Sequence, residues 1–266
     1  MPAVAERLPV GALGAAASGI LHLSAGGWRV AGAVVVGPAH ARACRDGQDA
    51  CAVGSVDDVL VLAVADGAGS AVRGGLGARL VVESLLVALR GRAGRAPWRS
   101  RLEGALDRAE AALAAAGGDP AELRATLVGL VVRGGHGLMF NIGDGVALAC
   151  DRTGACLALS PADGGEHAGE TYFLTDPGWR RRLRWTPFRG AASLAVMTDG
   201  VTPFALERGG AAPARSFMDP VLDCLRAHPP ALAGRALERL LGSAEAGRVS
   251  GDDKTLVCAV VEPGGG

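Results

Sequence analysis

The sequence predicts a mixed α and β domain in which antiparallel sheets stack and helices cover them. Two observations carry this. Apolar runs of strand length recur along the chain, joined by glycine-rich turn signals of the kind hairpins need. Among them stand two pairs of helical patterns, and a helix with one apolar stripe needs another layer to cover it. No internal repeat and no Pro/Ser-rich linker breaks the chain. A single domain over 28–262 is therefore expected, between a flexible or weakly structured leader (1–27) and a short tail (263–266).

Each element has its own signal. Residues 28–36 (WRVAGAVVV) read as a strand, and GPAHARACRDGQDA (37–50) as a polar, turn-rich loop. VLVLAVA (59–65) is an unbroken apolar run, as expected of a strand covered on both faces. From Ser70 to about Arg90 the period turns helical, with Leu76, Leu80, Val81, Leu85 and Leu89 at spacings of three to five. A second helix is expected from Pro97, a favoured first-turn residue, to about Ala116. Strands return at 125–133 and 137–142 around Gly134-Gly135-His136, and at 145–150 and 155–159 around Arg152-Thr153-Gly154. SLAVMT (193–198) is another buried strand. Helices are expected at about 214–227 and 230–242, and LVCAVV (256–261) closes the chain as a strand.

Composition excludes several classes. Of 266 residues 49% are hydrophobic and 20% charged, too apolar for a disordered chain. Lys+Arg and Asp+Glu both total 27, so no field of one sign draws the protein to nucleic acid or to a membrane surface. Between Arg7 and Arg29 the chain is uncharged, but it is mostly Gly and Ala and includes Pro9, Ser18, His22 and Ser24, which suits a leader better than a membrane span. The six Cys show neither a C-x-x-C pair nor zinc spacing and read as reduced core residues of a cytoplasmic protein.

The chemistry lies where apolar runs end in Asp. VLVLAVA ends in Asp66-Gly67, LMFNIG in Asp144-Gly145, and SLAVMT in Asp199-Gly200. Asp252-Asp253 precedes the last strand, and Asp49 closes the first loop. An Asp-Gly pair alone means a turn, and the chain has five of them. As a set, carboxylates held together at the ends of core strands would repel one another and resist desolvation, a cost that a divalent cation removes. All-oxygen donors without His or Cys favour Mg²⁺ or Mn²⁺, and such ions pair naturally with phosphate substrates. On pattern alone, a metal–phosphate site and ordinary turns both remain open.

The order of the motifs HARACRDGQDA (40–50), VADGAGSAVRGGLGA (64–78), FNIGDGVAL (140–148), VMTDGV (196–201) and SGDDKT (250–255), with GEHAGETYFLTD (165–176), resembles the protein phosphatase 2C family of metal-dependent serine/threonine phosphatases, in a compact bacterial branch. The resemblance covers about residues 28–262. It implies an α+β fold, a four-layer α-β-β-α sandwich of two mainly antiparallel sheets flanked by helices, with two Mg²⁺ or Mn²⁺ ions at one end. It also implies hydrolysis of phosphoserine and phosphothreonine by direct attack of a metal-bridging hydroxide. Carried over by position, Asp66 would bridge the ions and the Gly67 carbonyl add a ligand. Asp199 and Asp252 would hold the second ion, with Asp253 open as an alternative to Asp252, and Asp49 would orient metal-bound water. Asp144 matches an Asp that helps a third, weaker ion. The partners implied are a phosphorylated protein and a cognate Ser/Thr kinase.

The departures are specific. Ala68 stands where many members have a His proposed as general acid, leaving a water or His40 for that task. Cys44 stands where relatives carry a phosphate-binding Arg, with Arg45 and Arg42 the nearest substitutes. Pro203 replaces an Asp that supports the third ion and counts against that site. The run RRRLR (180–184) reads as a solvated face, and His22, His136, His167 and His228 are unassigned. Two rival classes stand beside the enzyme. A dinucleotide fold is disfavoured, because Gly67-Ala68-Gly69 lacks its third glycine at Val72. A non-catalytic domain that binds phosphoproteins gains support from Ala68 and Cys44 and loses it from the retained carboxylates.

Overall fold

A computed structural model describes residues 10–13, 18–56, 58–89, 97–163 and 171–262. The expected tail, and the part of GEHAGETYFLTD over 165–170 with its His167, lie outside the described residues.

Twelve strands are described: β1 (Val10–Leu13), β2 (Gly19–Ala25), β3 (Trp28–Val35), β4 (Asp49–Val56), β5 (Val59–Asp66), β6 (Leu127–Arg133), β7 (His136–Ile142), β8 (Val146–Cys150), β9 (Cys156–Leu159), β10 (Arg184–Phe188), β11 (Ser193–Met197) and β12 (Lys254–Val261). They form two six-stranded sheets in the orders β1-β4-β5-β6-β7-β10 and β2-β3-β12-β11-β8-β9. Every pairing among the named strands is antiparallel. The helices are α1 (Pro38–Arg42), α2 (Gly74–Leu89), α3 (Trp98–Ala115), α4 (Thr202–Ala205), α5 (Arg215–Ala227), α6 (Pro230–Leu241) and α7 (Ala244–Val249).

Three apolar layers hold these elements. Alternation along β5 shows how: Val59, Val61, Ala63 and Ala65 pack under Val81, Leu85, Leu102 and Leu106 of α2 and α3. Leu60, Leu62 and Val64 face the other sheet, against Val30, Val196 and Val257. Beyond that sheet, Leu256, Cys258 and Val260 of β12 meet Leu222 and Leu225 of α5 and Leu237 and Leu241 of α6. A strand buried on both faces has no polar positions left, which is why β5, β6 and β12 read as continuous apolar runs. The four-layer α-β-β-α sandwich expected from the motif order is the observed fold.

The structure corrects the sequence reading in four places. Part of the expected leader is built into both sheets: β1 pairs with β4 and β2 with β3. In β2, Leu21 and Leu23 are buried while His22 and Ser24 are exposed, a two-residue alternation diluted by Gly and Ala on either side. The supposed loop 37–50 contains α1 and leads directly into β4, whose Asp-Ala-Cys-Ala-Val-Gly core is too small in volume to stand out as a strand. β10 carries a proline, which is tolerated because this strand is the last in its sheet. The 180–184 run is exposed but engaged. Arg180 bonds Asp107 (2.6 Å) and Glu110 (3.0 Å) of α3, Arg182 stacks on Tyr172, and Arg184 pairs with Asp163 at 3.1 Å.

Candidate metal centre

Topology brings the acids to one end of both sheets. Asp49 opens β4 and Asp66 closes β5, and the two are direct cross-strand partners. Asp199 follows β11 and Asp252-Asp253 precede β12 where those two strands are paired. Asp144 sits in the turn joining β7 to β8, and β8 borders β11.

Two glycines allow these ends to come together. A Cβ on Gly200 would run into the Asp253 carbonyl oxygen, and one on Gly67 would strike the Gly74 backbone at the start of α2. Gly251, by contrast, faces open space. The glycines next to Asp66 and Asp199 therefore serve close approach of backbone to backbone.

Asp49 is the most enclosed acid, 1% exposed. Its Oδ2 accepts from the hydroxyls of Thr198 (2.8 Å), just past β11, and Thr255 (2.7 Å) of β12, both on the side of the opposite sheet. Thr198 Oγ1 in turn accepts from the Thr255 backbone N–H at 3.1 Å. Asp49 Oδ1 and Asp199 Oδ1 are buried without a hydrogen-bond partner among the described residues. Burial, with Asp253 nearby, pushes the Asp49 carboxyl up to about 8. Burial and then the charges of Asp49, Asp199 and Asp252 hold Asp66 well above its ordinary range. Asp199 is pushed to about 6, by burial first and then by Asp144 and Asp252. Asp144 is raised mainly by burial. These acids press on one another, a repulsion that a bound cation would relieve.

The two neighbours Asp252 and Asp253 divide their tasks. Asp253 is buried, and its carboxylate accepts from Gly37 N (2.6 Å), Gln48 N (2.5 Å) and the His40 ring, whose Nδ1 lies 3.0 Å away. It fastens the α1–β4 connection to β12. Asp252 is exposed and is the member of the pair whose charge acts on Asp66, Asp199 and Asp144. Lys254, the one lysine in the chain, is 1% exposed and donates from Nζ to the carbonyls of Ser250 (2.8 Å) and Asp252 (2.7 Å).

The residues present suit a hard divalent ion: the donors are carboxylates with orphaned buried oxygens and no thiolate or free imidazole among them. Among the described residues no group of three or more acids, His or Cys is placed to hold an ion as it stands. The carboxyls instead crowd one another, with the charges of Asp49, Asp199 and Asp252 all acting on Asp66.

Beside the acids lies a cleft of about 480 Å³ between the α1–β4 loop and the approach to α2. His40, Arg45, Asp46 and Gln48 line one wall, and Ser70, Val72, Arg73, Leu76 and Arg79 the other. Gln48 crosses between them, donating from Nε2 to the Ala71 carbonyl at 3.0 Å. Of the two arginines singled out in the sequence, Arg45 lines the cleft, whereas Arg42 is exposed on α1 and does not. His40 lines it too, with Nδ1 turned to Asp253. The sequence reading missed Thr198, Thr255, Lys254, Arg73 and Arg79. The polar side chains of Thr198, Lys254 and Thr255, set at the ends of apolar strands, were the available signal for the first three.

A two-sheet sandwich that collects carboxylates at one rim, with arginines beside them, defines a class of phosphate-handling hydrolases. Comparison with known proteins identifies the family: the protein phosphatase 2C family model matches residues 36–242. The chain belongs to that family and is a protein serine/threonine phosphatase. It is 29% identical over 256 residues to serine/threonine-protein phosphatase 3 of Escherichia coli (strain K12), covering 88% of this chain and 98% of that one. It shares its fold with the Mycobacterium tuberculosis serine/threonine phosphatase PstP/Ppp (TM-score 0.62, 18% identity, 89% of this chain and 99% of the other). A structure of the PstP catalytic domain in complex with two manganese ions is likewise similar (TM-score 0.63, 20% identity, 89% and 99%).

Proposed function

We propose that this phosphatase hydrolyses phosphoserine and phosphothreonine in proteins with the help of two Mg²⁺ or Mn²⁺ ions held by Asp66, the Gly67 carbonyl, Asp199 and Asp252. The observation that carries the reading is the set of mutually destabilised carboxyls at one rim, with buried oxygens of Asp49 and Asp199 left without partners. When bound, such ions supply Lewis acidity and a nucleophilic water for in-line attack on phosphorus. The chain's own residues do the rest. Asp49, fixed by Thr198 and Thr255, accepts a hydrogen bond from the attacking water and orients it. Arg45 contributes positive charge to the equatorial phosphoryl oxygens. Asp253 and His40 hold the loop that carries Arg45. Ala68 has no proton to give, so the leaving alkoxide takes its proton from a water. Asp144 stands near Asp199 and Asp252, but the companion expected at position 203 is Pro203, so a third ion is not part of the reading.

The substrate is a phosphorylated protein, and a cognate Ser/Thr kinase in its phosphorylated form fits a signalling role in the cytoplasm. Among the described residues no helix is long and apolar enough to cross a membrane. The deciding experiment is hydrolysis of an aryl phosphate with Mn²⁺. Wild type should turn over, and Asp66→Asn should lose at least about a hundredfold in kcat, the scale set by removing a preorganised charge group from a reacting centre. Equal rates in both proteins would end the metal-centre assignment.

A further inference from the structure

The cleft beside the carboxylates carries more positive charge than one phosphoryl group needs. With Arg45 given to the scissile phosphate, Arg73 and Arg79 remain on the facing wall, against the single carboxylate Asp46. Arg73 is tied down: its guanidinium donates to the carbonyls of Ala116 (3.0 Å) and Gly117 (2.6 Å), and Glu122 lies 3.9 Å away. It contributes a fixed positive background. Arg79 is held far less. Its acidic neighbour is Glu83, one helical turn on and 3.9 Å distant, and both side chains are about half exposed. Such a contact is worth little in water and yields readily to a better partner.

Geometry decides what that partner is. Gly75, Leu76 and Arg79 are spaced by three and four residues and so share the face of α2 that lines the cleft. Ahead of them stands Val72, 86% exposed, an apolar contact with nothing over it among the described residues. The same cleft reaches Gln48, next to Asp49, and His40, bonded to Asp253, so it is continuous with the carboxylate rim. A polypeptide whose phosphoresidue sits at that rim would lay its flanking residues along Val72 and Leu76 toward Arg79. Asp46 on the other wall repels anions there and confines them to the α2 side.

We propose that Val72, Leu76 and Arg79 form a specificity subsite that accepts an acidic side chain, Asp or Glu, flanking the phosphorylated residue of a protein substrate. The inference rests on the phosphatase reading of the neighbouring carboxylates. Its effect is a preference: screened by salt, and amounting to about fivefold for one exposed ion pair.

Two matched phosphothreonine peptides, one with Asp and one with Asn at the flanking positions, test it. With Mn²⁺, wild type should favour the Asp peptide about fivefold in kcat/KM, and Arg79→Ala should bring the ratio near one. Arg79→Glu should invert it. A ratio that is flat in wild type, or the same in all three proteins, overturns the subsite. Turnover of neither peptide overturns the phosphatase reading instead. In that event, fluorescence anisotropy with the labelled Asp peptide still decides the subsite: weaker binding to Arg79→Glu supports it, and equal binding refutes it. Circular dichroism confirms that the half-exposed position leaves the fold intact.

Discussion

Lys254 shows how a single residue shapes the carboxylate end of this protein. Cationic positions elsewhere in the chain are Arg, yet here a lysine is sealed inside, donating to Ser250 and Asp252 carbonyls beside three carboxylates. Burial lowers its pKa, while Asp252, Asp253 and Asp49 work in the opposite direction. A slim ammonium on a flexible stem satisfies two carbonyls that a planar guanidinium would crowd. Lys254→Met keeps the volume but removes both donors to these partly buried carbonyls, at a cost of about 0.5–1.5 kcal/mol each. Denaturant titration should therefore show a clear loss of stability, and Mn²⁺ affinity measured by calorimetry should fall with it, because the Asp252 backbone is no longer anchored. Unchanged stability and affinity would show that the lysine merely fills space. The split between Asp252 and Asp253 could not be read from the sequence. Adjacent acids look alike in one dimension, and only the folded loop decides which of them meets Gly37 and Gln48.

At the scale of elements, legibility followed the strength of local patterning. The long helices α2, α3, α5 and α6 and the two-sided strands β5, β6 and β12 were evident, because a 3.6 period or an unbroken apolar run survives in isolation. β1, β2, β4 and β10 were not. β1 and β4 consist mostly of small residues, and β2 and β10 are sheet-end strands whose large side chains are interrupted by polar residues or Pro; all four exist as strands because a neighbour supplies the ladder. The candidate carboxylates carried a related signal: core strands must stop somewhere, and Asp66-Gly67 and Asp199-Gly200 mark two of the stops. The glycine after Asp199 has a role visible only in the fold: it admits the neighbouring Asp253 backbone, with no room for a Cβ. Gly200→Ala should accordingly overpack the β11–β12 end, destabilising the protein by about 1–3 kcal/mol. Gly251→Ala, facing open space, should be near neutral. Thermal denaturation of the pair checks this, and equal shifts in both would reject the close-approach account.

The whole molecule stores a conflict: a sandwich with an apolar core on three levels closes over acids that resist ionisation. The sign of the consequence follows from the raised values. Asp49, at about 8, and Asp199, at about 6, keep protons in the native state over a range where the unfolded chain, near 3.8, has released them. Wherever the native state binds more protons, stability falls as pH rises. The metal-free protein should thus be most stable below about pH 4 with respect to these groups and lose stability progressively toward pH 8. The slope is up to about 1.4 kcal/mol per pH unit for each such carboxyl. Other groups titrate at the acid end, so the clean window for measurement is pH 5 to 8. A divalent ion reverses the trend, since it binds the deprotonated acids and competes with their protons. At a hundred times its dissociation constant it adds about 2.7 kcal/mol. Melting curves in chelator should therefore decline from pH 5 to 8, and the Mn²⁺-induced rise in Tm should be larger at pH 8 than at pH 5. A flat profile in chelator, or a metal effect independent of pH, would mean that the acids at the rim are not the ion's ligands.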